Sequence, residues 1–204
     1  DEKGGKTAIR IIDLKTHTSG LPAYAYANML KKKYGAPNRD GLIDYIAHCK
    51  RNFAPGSDMT YSCLNFITLQ RIIETVSGED LQQYAHHHVF DVLGMKNTDY
   101  NPSKEMAKRC APTEKQANGK CLLGYVHDPL AGIMNGGISG NAGVFTTADD
   151  VAILCAALQN GGEWNGHRIL SPLAVKAMRT VPRARAEWGR ALGWDVWSPY
   201  ANNT

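Results

Sequence analysis

Apolar residues at helical spacing, repeatedly interrupted by glycine and proline, constrain the fold of this chain more than any other sequence feature. After Ser62, the apolar residues Leu69, Ile72 and Val76 recur three or four positions apart, and Gly78 follows as a stop signal. A helix with this pattern buries one face and leaves the other in solvent. The pattern therefore predicts an amphipathic helix that begins near Ser62 and ends at Gly78.

Other segments combine a polar or proline start with one apolar face. They are residues 7–14, 40–50, 81–92, 147–158 and 171–178. Thr7, Asp40 and Ser171 are suitable N-cap residues, and Thr147-x-x-Asp150 resembles a capping box. We expect all of these segments to be helical.

The helix at 147–158 is expected to bury Val151, Leu154, Cys155 and Leu158, which share one face. Residues 101–143 are rich in Pro, Gly and Asn, which predicts loops with at most short strands. Residues 192–197 alternate between apolar and other residues, which predicts a strand. The expected fold is therefore mainly α.

Composition and charge argue against several classes of protein. The 204 residues are 43% hydrophobic and 21% charged, as in an ordinary soluble domain, and no apolar run is long enough to span a bilayer. The net charge of +4 is spread along the chain. The basic run Lys31-Lys32-Lys33 contains no aromatic residues, so we interpret it as a solvated helix end and expect no nucleic-acid partner.

The cysteines and histidines do not form a metal-binding pattern. The five cysteines contain no C-x-x-C pair and no zinc-like Cys/His spacing. Cys110 and Cys121 flank a polar stretch that contains a glycine, so a disulfide across a hairpin is one possibility in an oxidising compartment. His86, His87 and His88 are consecutive, and consecutive helical side chains diverge by about 100°. We expect surface histidines, with no metal and no cofactor.

Four segments occur in an order that is typical of one enzyme superfamily. They are residues 14–22 (LKTHTSGLP), 53–57 (FAPGS) leading to Tyr61-Ser62, 92–98 (VLGMKNT) and 136–150 (GGISGNAGVFTTADD). Together they resemble the serine β-lactamase and penicillin-binding-protein superfamily, especially its class C and esterase-like branch. Residues 126–129 (VHDP) strengthen the likeness to bacterial serine hydrolase domains. The resemblance implies that residues 1–204 are a single partial domain, the helical lobe of the α/β (α+β) β-lactamase/transpeptidase-like fold.

The mechanism of the superfamily uses three motifs, and this chain contains one of them. The sequence has no Ser-x-x-Lys, which supplies the nucleophile and its lysine, and no Lys-Thr-Gly or His-Thr-Gly. The resemblance places the first motif before residue 1 and the third after residue 204. We therefore expect an internal piece of a longer hydrolase, whose partner is the missing sheet lobe and which is inactive alone.

Tyr61 is the catalytic candidate. The resemblance identifies it as the tyrosine that relays a proton between the nucleophilic serine and the lysine. A phenol in water titrates at about pH 10, so a relay at neutral pH needs stabilisation by lysine charges or by a helix N-terminus. Without the surrounding segments, a tyrosine that simply packs the start of a helix would be the default interpretation.

Substrate contacts are expected from Cys63, Asn141 and Ala142. The tyrosine motif normally has asparagine at its third position, where this chain has Cys63, and a thiol is a weaker hydrogen-bonding group than an amide. The substitution favours ester or atypical peptide substrates over β-lactams, although a small buried cysteine is an equally good explanation. Asn141-Ala142-Gly143 is expected at the rim of the cleft. A triad of His17, Asp128 and Ser19 is disfavoured, because the resemblance gives the His17 segment a structural role.

Two functions are compatible with these features. One is a serine hydrolase that acts on a small-molecule or peptide ester or amide through an acyl-enzyme. The alternative is a non-catalytic domain that binds cell-wall peptide or assists a larger hydrolase. The resemblance implies an extracytoplasmic location, periplasmic or secreted.

Overall fold

Short helices joined by long loops make up most of residues 8–197, the part of the chain that the computed structural model describes. The α-helices of this part are α1 Ile11–Lys15, α2 Ala27–Tyr34, α3 Arg39–His48, α4 Cys63–Ser77, α5 Leu81–Ala85, α6 Asp91–Leu93, α7 Lys104–Ala107, α8 Ala148–Gln159 and α9 Pro172–Arg179. Two π-helical segments, His86–Phe90 and Leu130–Met134, and one 3-10 segment, Arg183–Trp188, accompany them. None of the helices in residues 8–197 is long and apolar enough to cross a membrane.

The strands of the described residues are two residues long and form separate antiparallel pairs. The pairs are β1 Asp99–Tyr100 with β4 Val144–Phe145, β2 Glu114–Lys115 with β3 Cys121–Leu122, and β5 Glu163–Trp164 with β6 His167–Arg168. The expectation of a mainly α fold with short strands in the 101–143 region is therefore confirmed.

The longest helix, α4, begins and ends where the sequence predicts. Ser62 is its N-cap residue, and Gly78 ends it in the left-handed conformation at φ +77°. Its buried face carries Leu64, Asn65, Ile67 and Gln70, whereas the predicted face residue Val76 is 83% exposed. The inward position of Val76 is thus a wrong prediction, because the neighbouring elements cover the other side of the last turn.

Other helix boundaries shift by a few residues. Helix α1 follows Arg10, and its predicted cap Thr7 lies outside the described residues. Helix α3 begins one residue before Asp40, because the Asn38 side chain accepts a hydrogen bond from Gly41 N–H and caps it instead. The predicted 81–92 helix is a continuous run of α5, a π-helical segment and α6.

Helix α8 has the predicted start but not the complete predicted inner face. The Thr147 hydroxyl accepts a hydrogen bond from Asp150 N–H. Val151 and Cys155 are exposed, whereas Ala157 and Leu158 are buried. Placing Val151 and Cys155 inward was therefore wrong, because the covered face of the helix is rotated and carries Asp150, Ile153, Leu154 and Ala157.

Two clusters of buried apolar residues form the core. The first joins α1 to α4 with the π-helical segment at Leu130–Met134, and its members are Leu14, Leu21, Ala25, Ala27, Leu30, Leu42, Ile46, Leu64, Ile67, Leu130 and Met134. The second joins α5, α6, β1 and α8, and its members are Leu81, Phe90, Leu93, Met95, Tyr100 and Ala157. Helix α4 contacts both α1 and α5, so it connects the two halves of the core.

One sequence prediction fails here, and the disulfide that the sequence left open does not form. Residues 192–197 form no strand, and this region contains only an isolated antiparallel bridge between Arg190 and Asp195. Cys110 and Cys121 are free thiols. The hairpin between them exists, but it pairs Lys115 with Cys121, so Cys110 lies outside the paired residues.

The basic run and the histidine run have the expected environments. Lys31, Lys32 and Lys33 are exposed in the last turn of α2. His86 contacts Asp91 and Asp99, and the exposed His87 lies 3.3 Å from Glu79. Within residues 8–197, no group of three or more His, Cys, Asp or Glu residues has metal-binding geometry.

Candidate active site

The segment at residues 16–22 is buried although most of its side chains are polar. Thr16, His17, Thr18 and Ser19 are each at most 1% exposed. Thr16 donates its hydroxyl proton to the carbonyl oxygen of Ile12 (2.7 Å), and Thr16 and Thr18 share a hydrogen bond (3.0 Å). Because these groups find partners within the protein, the segment can lie in the interior at little energetic cost.

Glycines let this segment pack directly against the loop that precedes Tyr61. A Cβ atom on Gly20, which has φ +79°, would lie 2.1 Å from the carbonyl oxygen of Phe53. Gly56 donates its N–H to the carbonyl oxygen of Thr18 (2.7 Å), and Thr60 donates to that of His17 (3.1 Å). Segments 14–22 and 53–57, which both resemble the superfamily, therefore pack against each other and together support the loop that precedes Tyr61.

His17 forms hydrogen bonds with residues at the start of α4. Its Nδ1 atom accepts hydrogen bonds from Ser62 N–H (3.1 Å) and from the Asn65 amide (3.1 Å). Burial, together with the nearby Arg190 guanidinium, lowers the pKa of His17 to about 4, and Asp195 opposes this in part. In a neutral imidazole with its proton on Nε2, the lone pair of Nδ1 is available to accept these two hydrogen bonds.

Tyr61 lies on this support with its ring partly in solvent. The ring centroid is 4.3 Å from that of His17, and the Arg190 guanidinium lies 5.7 Å from the ring centroid on another side. Tyr61 is 45% exposed and immediately precedes the N-cap residue of α4. The phenol is thus orientated by its neighbours and remains open to solvent.

Cys63 is the first residue of α4 and lies half-buried beside polar groups. Burial raises the pKa of the Cys63 thiol, and the Asp128 carboxylate raises it further, while the Asn141 amide partly offsets both. Burial also raises the pKa of the Tyr24 phenol, with smaller contributions from Asp128 and Cys63. A thiol in this environment stays protonated at neutral pH and is a poor nucleophile.

Asn141 is fixed by a chain of buried amides and one hydroxyl. Gln70 on α4 accepts a hydrogen bond from Asn135 Nδ2 (3.3 Å), and Asn135 Nδ2 donates to Ser139 Oγ (2.6 Å). Ser139 in turn donates to Asn141 Oδ1 (2.6 Å). Asn141 Nδ2 is buried and has no partner with hydrogen-bond geometry among the described residues, although it lies beside Cys63.

The loop around Asn141 approaches α4 through a glycine. A Cβ atom on Gly140 would lie 2.2 Å from the carbonyl oxygen of Phe66, so any larger residue would push the loop away. Gly140 N–H donates to Gln70 Oε1 (3.0 Å), and Ala142 pairs with Ser139 in an isolated antiparallel bridge. The structure therefore brings Asn141 close to Cys63, with Ala142 in the same short loop.

The disfavoured triad does not form. Ser19 donates its hydroxyl proton to Asn65 Oδ1 (2.5 Å), and His17 contacts Ser62 and Asn65 instead. Asp128 accepts a hydrogen bond from Ala131 N–H (2.8 Å). His17 and Ser19 are thus structural, as the sequence resemblance implied.

Several residues around the site were not identified from the sequence. Asn65, Gln70, Asn135 and Ser139 are buried and polar. The first three form hydrogen bonds with residues far away in the chain, whereas Ser139 bonds to Asn135 and Asn141. A polar residue on the inner face of a predicted helix was the available signal for Asn65 and Gln70, because such groups need specific partners.

The two other segments that resemble the superfamily, residues 92–98 and 136–150, are joined to each other by hydrogen bonds away from Tyr61. Thr98 forms hydrogen bonds with the Thr146 hydroxyl (2.7 Å) and with Asp150 Oδ2 (2.8 Å). The same carboxylate oxygen accepts the N–H of Asn97 (2.7 Å). These bonds fix the residues that follow the Asn141 loop.

Comparison with known proteins identifies related sequences and structures. The protein family described as Beta-lactamase matches residues 1–202. The N-acetylmuramyl-L-alanine amidase of Bacillus subtilis (strain 168) is 32% identical over 206 residues, which are 93% of this chain and 46% of the relative. The chain thus spans about half the length of the curated relatives that it matches.

Solved structures resemble the described fold at low sequence identity. A β-lactamase/D-alanine carboxypeptidase from Pseudomonas syringae has a TM-score of 0.64 at 20% identity, covering 91% of this chain and 47% of that one. A D-stereospecific amidohydrolase from Streptomyces sp. has a TM-score of 0.62 at 20% identity, covering 91% of this chain and 56% of that one.

Proposed function

The chain belongs to the β-lactamase family, and we propose that it is the tyrosine-bearing part of a serine hydrolase that cleaves an ester or amide through an acyl-enzyme. Its described residues have the helical part of the β-lactamase/transpeptidase-like fold. The observation that carries the proposal is the environment of Tyr61, a partly exposed phenol held against buried His17 at the N-terminus of α4.

Tyr61 is the proton relay of the proposed reaction. The nucleophilic serine loses a proton as it attacks the substrate carbonyl, and the leaving group needs a proton as the acyl-enzyme forms. The phenol lies next to the N-terminus of α4, and the Arg190 guanidinium lies 5.7 Å from its ring centroid. In the proposed enzyme the nucleophilic serine and its lysine come from a Ser-x-x-Lys motif, which this sequence does not contain.

Cys63, Asn141 and Ala142 form the substrate-binding side of the proposed site. The Asn141 amide is aligned by the Ser139 hydroxyl and lies beside Cys63. Because Cys63 replaces an amide with a thiol, the site is poorer in strong donors than the usual tyrosine motif. This favours ester or atypical peptide substrates over β-lactams.

The names of the relatives support an amide or peptide as the natural substrate. The Bacillus subtilis relative is named as an N-acetylmuramyl-L-alanine amidase, and the Pseudomonas syringae structure as a β-lactamase/D-alanine carboxypeptidase. Both names refer to bonds found in cell-wall material or its analogues. An extracytoplasmic enzyme that acts on such material is therefore the proposed setting.

The decisive experiment uses the full-length protein that contains this chain. The protein is incubated with p-nitrophenyl acetate and, separately, with a fluorescent penicillin, and intact-mass spectrometry detects acyl adducts. A stoichiometric adduct on the serine of a Ser-x-x-Lys motif would support the proposal. A full-length protein with no such motif and no adduct, but with affinity for cell-wall peptide, would favour the non-catalytic alternative.

A further inference from the structure

A cavity that is separate from the proposed acylation site lies beside the loop that carries Asn141 and Ala142. It has a volume of about 540 Å³ and is lined by Gly143 and by both residues of β4, Val144 and Phe145. This volume lies within the range of about 300–1,000 Å³ that holds small organic ligands. Tyr61, Cys63 and Asn141 are not among its lining residues, so the cavity is distinct from the proposed acylation site.

The wall of this cavity is largely apolar. Met106, Pro112, Val126 and Phe145 contribute to it, and Val126 is buried. Such a surface suits the aliphatic part of a ligand, because contact removes apolar area from water.

The cavity has a guanidinium without a carboxylate partner. Arg109 lines the cavity and donates from Nη2 to Asn97 Oδ1 (2.9 Å), and Asn97 lines it too. Among residues 8–197 Arg109 forms no ion pair, and the nearest acidic residue of its own segment, Glu105, pairs with Lys108 instead. The Asn97 amide orientates the Arg109 guanidinium but does not neutralise its positive charge.

The acidic residues near the cavity lie outside its lining. The lining residues include no Asp or Glu. They do include Thr146 and His127, and the His127 ring lies 3.6 Å from Glu114, which is outside the lining. A guanidinium presents parallel N–H donors that match the two oxygens of a carboxylate.

We propose that this cavity is a distal substrate subsite, in which Arg109 binds a carboxylate on the part of the substrate remote from the bond that is cleaved. This inference rests on the proposed function, since it assigns the bound carboxylate to the substrate of that site. The cavity and the proposed acylation site share one loop, because Gly143, which lines the cavity, directly follows Asn141 and Ala142. In the proposed arrangement, the reacting part of the substrate contacts Asn141 and Ala142, and its distal carboxylate reaches Arg109.

The test compares two ligands that differ only at the distal group. N-succinyl-alaninamide carries a free carboxylate, and N-succinamoyl-alaninamide has an amide in its place. Binding of each to the full-length protein is measured by calorimetry. We expect about tenfold tighter binding of the carboxylate, the usual contribution of a charged hydrogen bond. The Arg109→Gln variant should bind both equally, and Arg109→Lys should keep part of the preference.

Lys104→Gln is the matched control, because Lys104 lies on α7, which ends shortly before Arg109, and does not line the cavity. Equal binding of the two ligands, or a preference that survives Arg109→Gln, would overturn the inference. So would a preference that Lys104→Gln abolishes equally, since that would indicate a general effect of charge. Hydrolysis of p-nitrophenyl acetate, which has no carboxylate, should be unchanged in Lys104→Gln, and it tests the proposed function separately.

Discussion

Ser62 N–H donates a hydrogen bond to Nδ1 of the buried His17, which lies 45 positions earlier in the sequence. The bond fixes the residue next to Tyr61, while the His17 ring packs against the Tyr61 ring. His17 has a positive φ of +60°, an uncommon conformation for a residue other than glycine. The His17 segment therefore fixes the position of the candidate catalytic residue Tyr61.

The first prediction is that the stability of the chain falls as the pH decreases from about 6.5 to about 4. The pKa of His17 is lowered to about 4 in the folded state, so over this range the unfolded chain binds a proton that the folded chain does not. Stability is therefore complete above the unfolded pKa and is lost towards the folded one, by roughly 3 kcal/mol in total. Urea unfolding at several pH values measures the slope.

Variants separate this effect from general acid denaturation. His17→Asn should be less stable at neutral pH but should lose the part of the slope that belongs to His17. His167→Gln changes an exposed histidine and should keep it. An unchanged slope in His17→Asn would show that other groups cause the pH dependence.

The second prediction concerns the buried ion pair between Arg185 and Asp13. Arg185 Nη2 lies 2.7 Å from Asp13 Oδ1, and Arg185 Nε donates to Thr18 Oγ (3.2 Å). Burial raises the pKa of Asp13, but hydrogen bonds from Arg10 and Arg185 outweigh it and hold the pKa below its usual value. Arg185→Met should cost roughly 2–4 kcal/mol, because it leaves a buried carboxylate short of partners.

Arg10→Met provides the comparison for this pair. The Arg10 side chain is 66% exposed, so its contact with Asp13 is screened by solvent, and its loss should cost much less than the loss of Arg185. Chemical unfolding of the two variants gives both values. Equal losses would mean that burial of Arg185 adds nothing.

Local signals predict both ends of α4, whereas partners far along the chain decide which of its residues are buried. Ser62 and Gly78 mark the limits of α4, because capping depends on the nearest few residues. Val76 fits the same helical period yet is exposed, since its burial depends on what packs against the last turn. The alternating pattern at 192–197 likewise forms no strand, since a strand needs a partner for its backbone hydrogen bonds.

In the candidate site, too, the sequence indicates some residues, whereas their contacts depend on partners far along the chain. Tyr61, Cys63 and Asn141 were selected by resemblance to a family, and no periodicity in the chain connects them. The link between Gln70 and Asn135 spans 65 positions, and that between Ser19 and Asn65 spans 46. Hydrogen bonds at such separations depend on the folded arrangement, so a single sequence indicates only that a buried polar residue needs some partner.

The third prediction is that Tyr61→Phe in the full-length protein lowers the acylation rate by about 10²- to 10⁴-fold, the usual effect of losing a proton-transfer group. Folding should be almost unaffected, because the ring that packs on His17 is kept and the side chain is partly exposed. Stopped-flow measurement with an activated ester gives the rate, and thermal unfolding gives the stability. A variant with normal acylation would exclude the relay role.

The fourth prediction concerns the thiol at position 63. Cys63→Asn in the full-length protein restores an amide at the third position of the tyrosine motif, beside Asn141. We expect acylation by a fluorescent penicillin to rise by about tenfold, as an added hydrogen bond to the substrate amide allows. Cys155→Asn, which changes an exposed cysteine on α8, should have no effect. A rise in both variants, or in neither, would reject Cys63 as the residue that limits amide substrates.

The fifth prediction is that the 204-residue chain alone does not hydrolyse esters or β-lactams above background. Covalent catalysis needs a nucleophile held next to its base, and the described serines near Tyr61 do not meet that need. Ser19 and Ser62 are buried, and their hydroxyls donate to Asn65 and to the carbonyl oxygen of Pro22. The Cys63 thiol is also unsuited, because burial raises its pKa.

Tyr61 cannot replace the missing group by itself. A lone phenol lacks both a positioned acceptor for the acyl group and donors for the oxyanion, which together provide most of the rate enhancement in such enzymes. Incubation of the purified chain with p-nitrophenyl acetate and with a fluorescent penicillin, followed by intact-mass spectrometry, is the measurement. Tyr61→Phe of the same chain serves as the control and should behave identically. A stoichiometric adduct on Ser19, Ser62 or Ser139 would mean that the acyl group is held by this chain and that the proposed division of the active site is wrong.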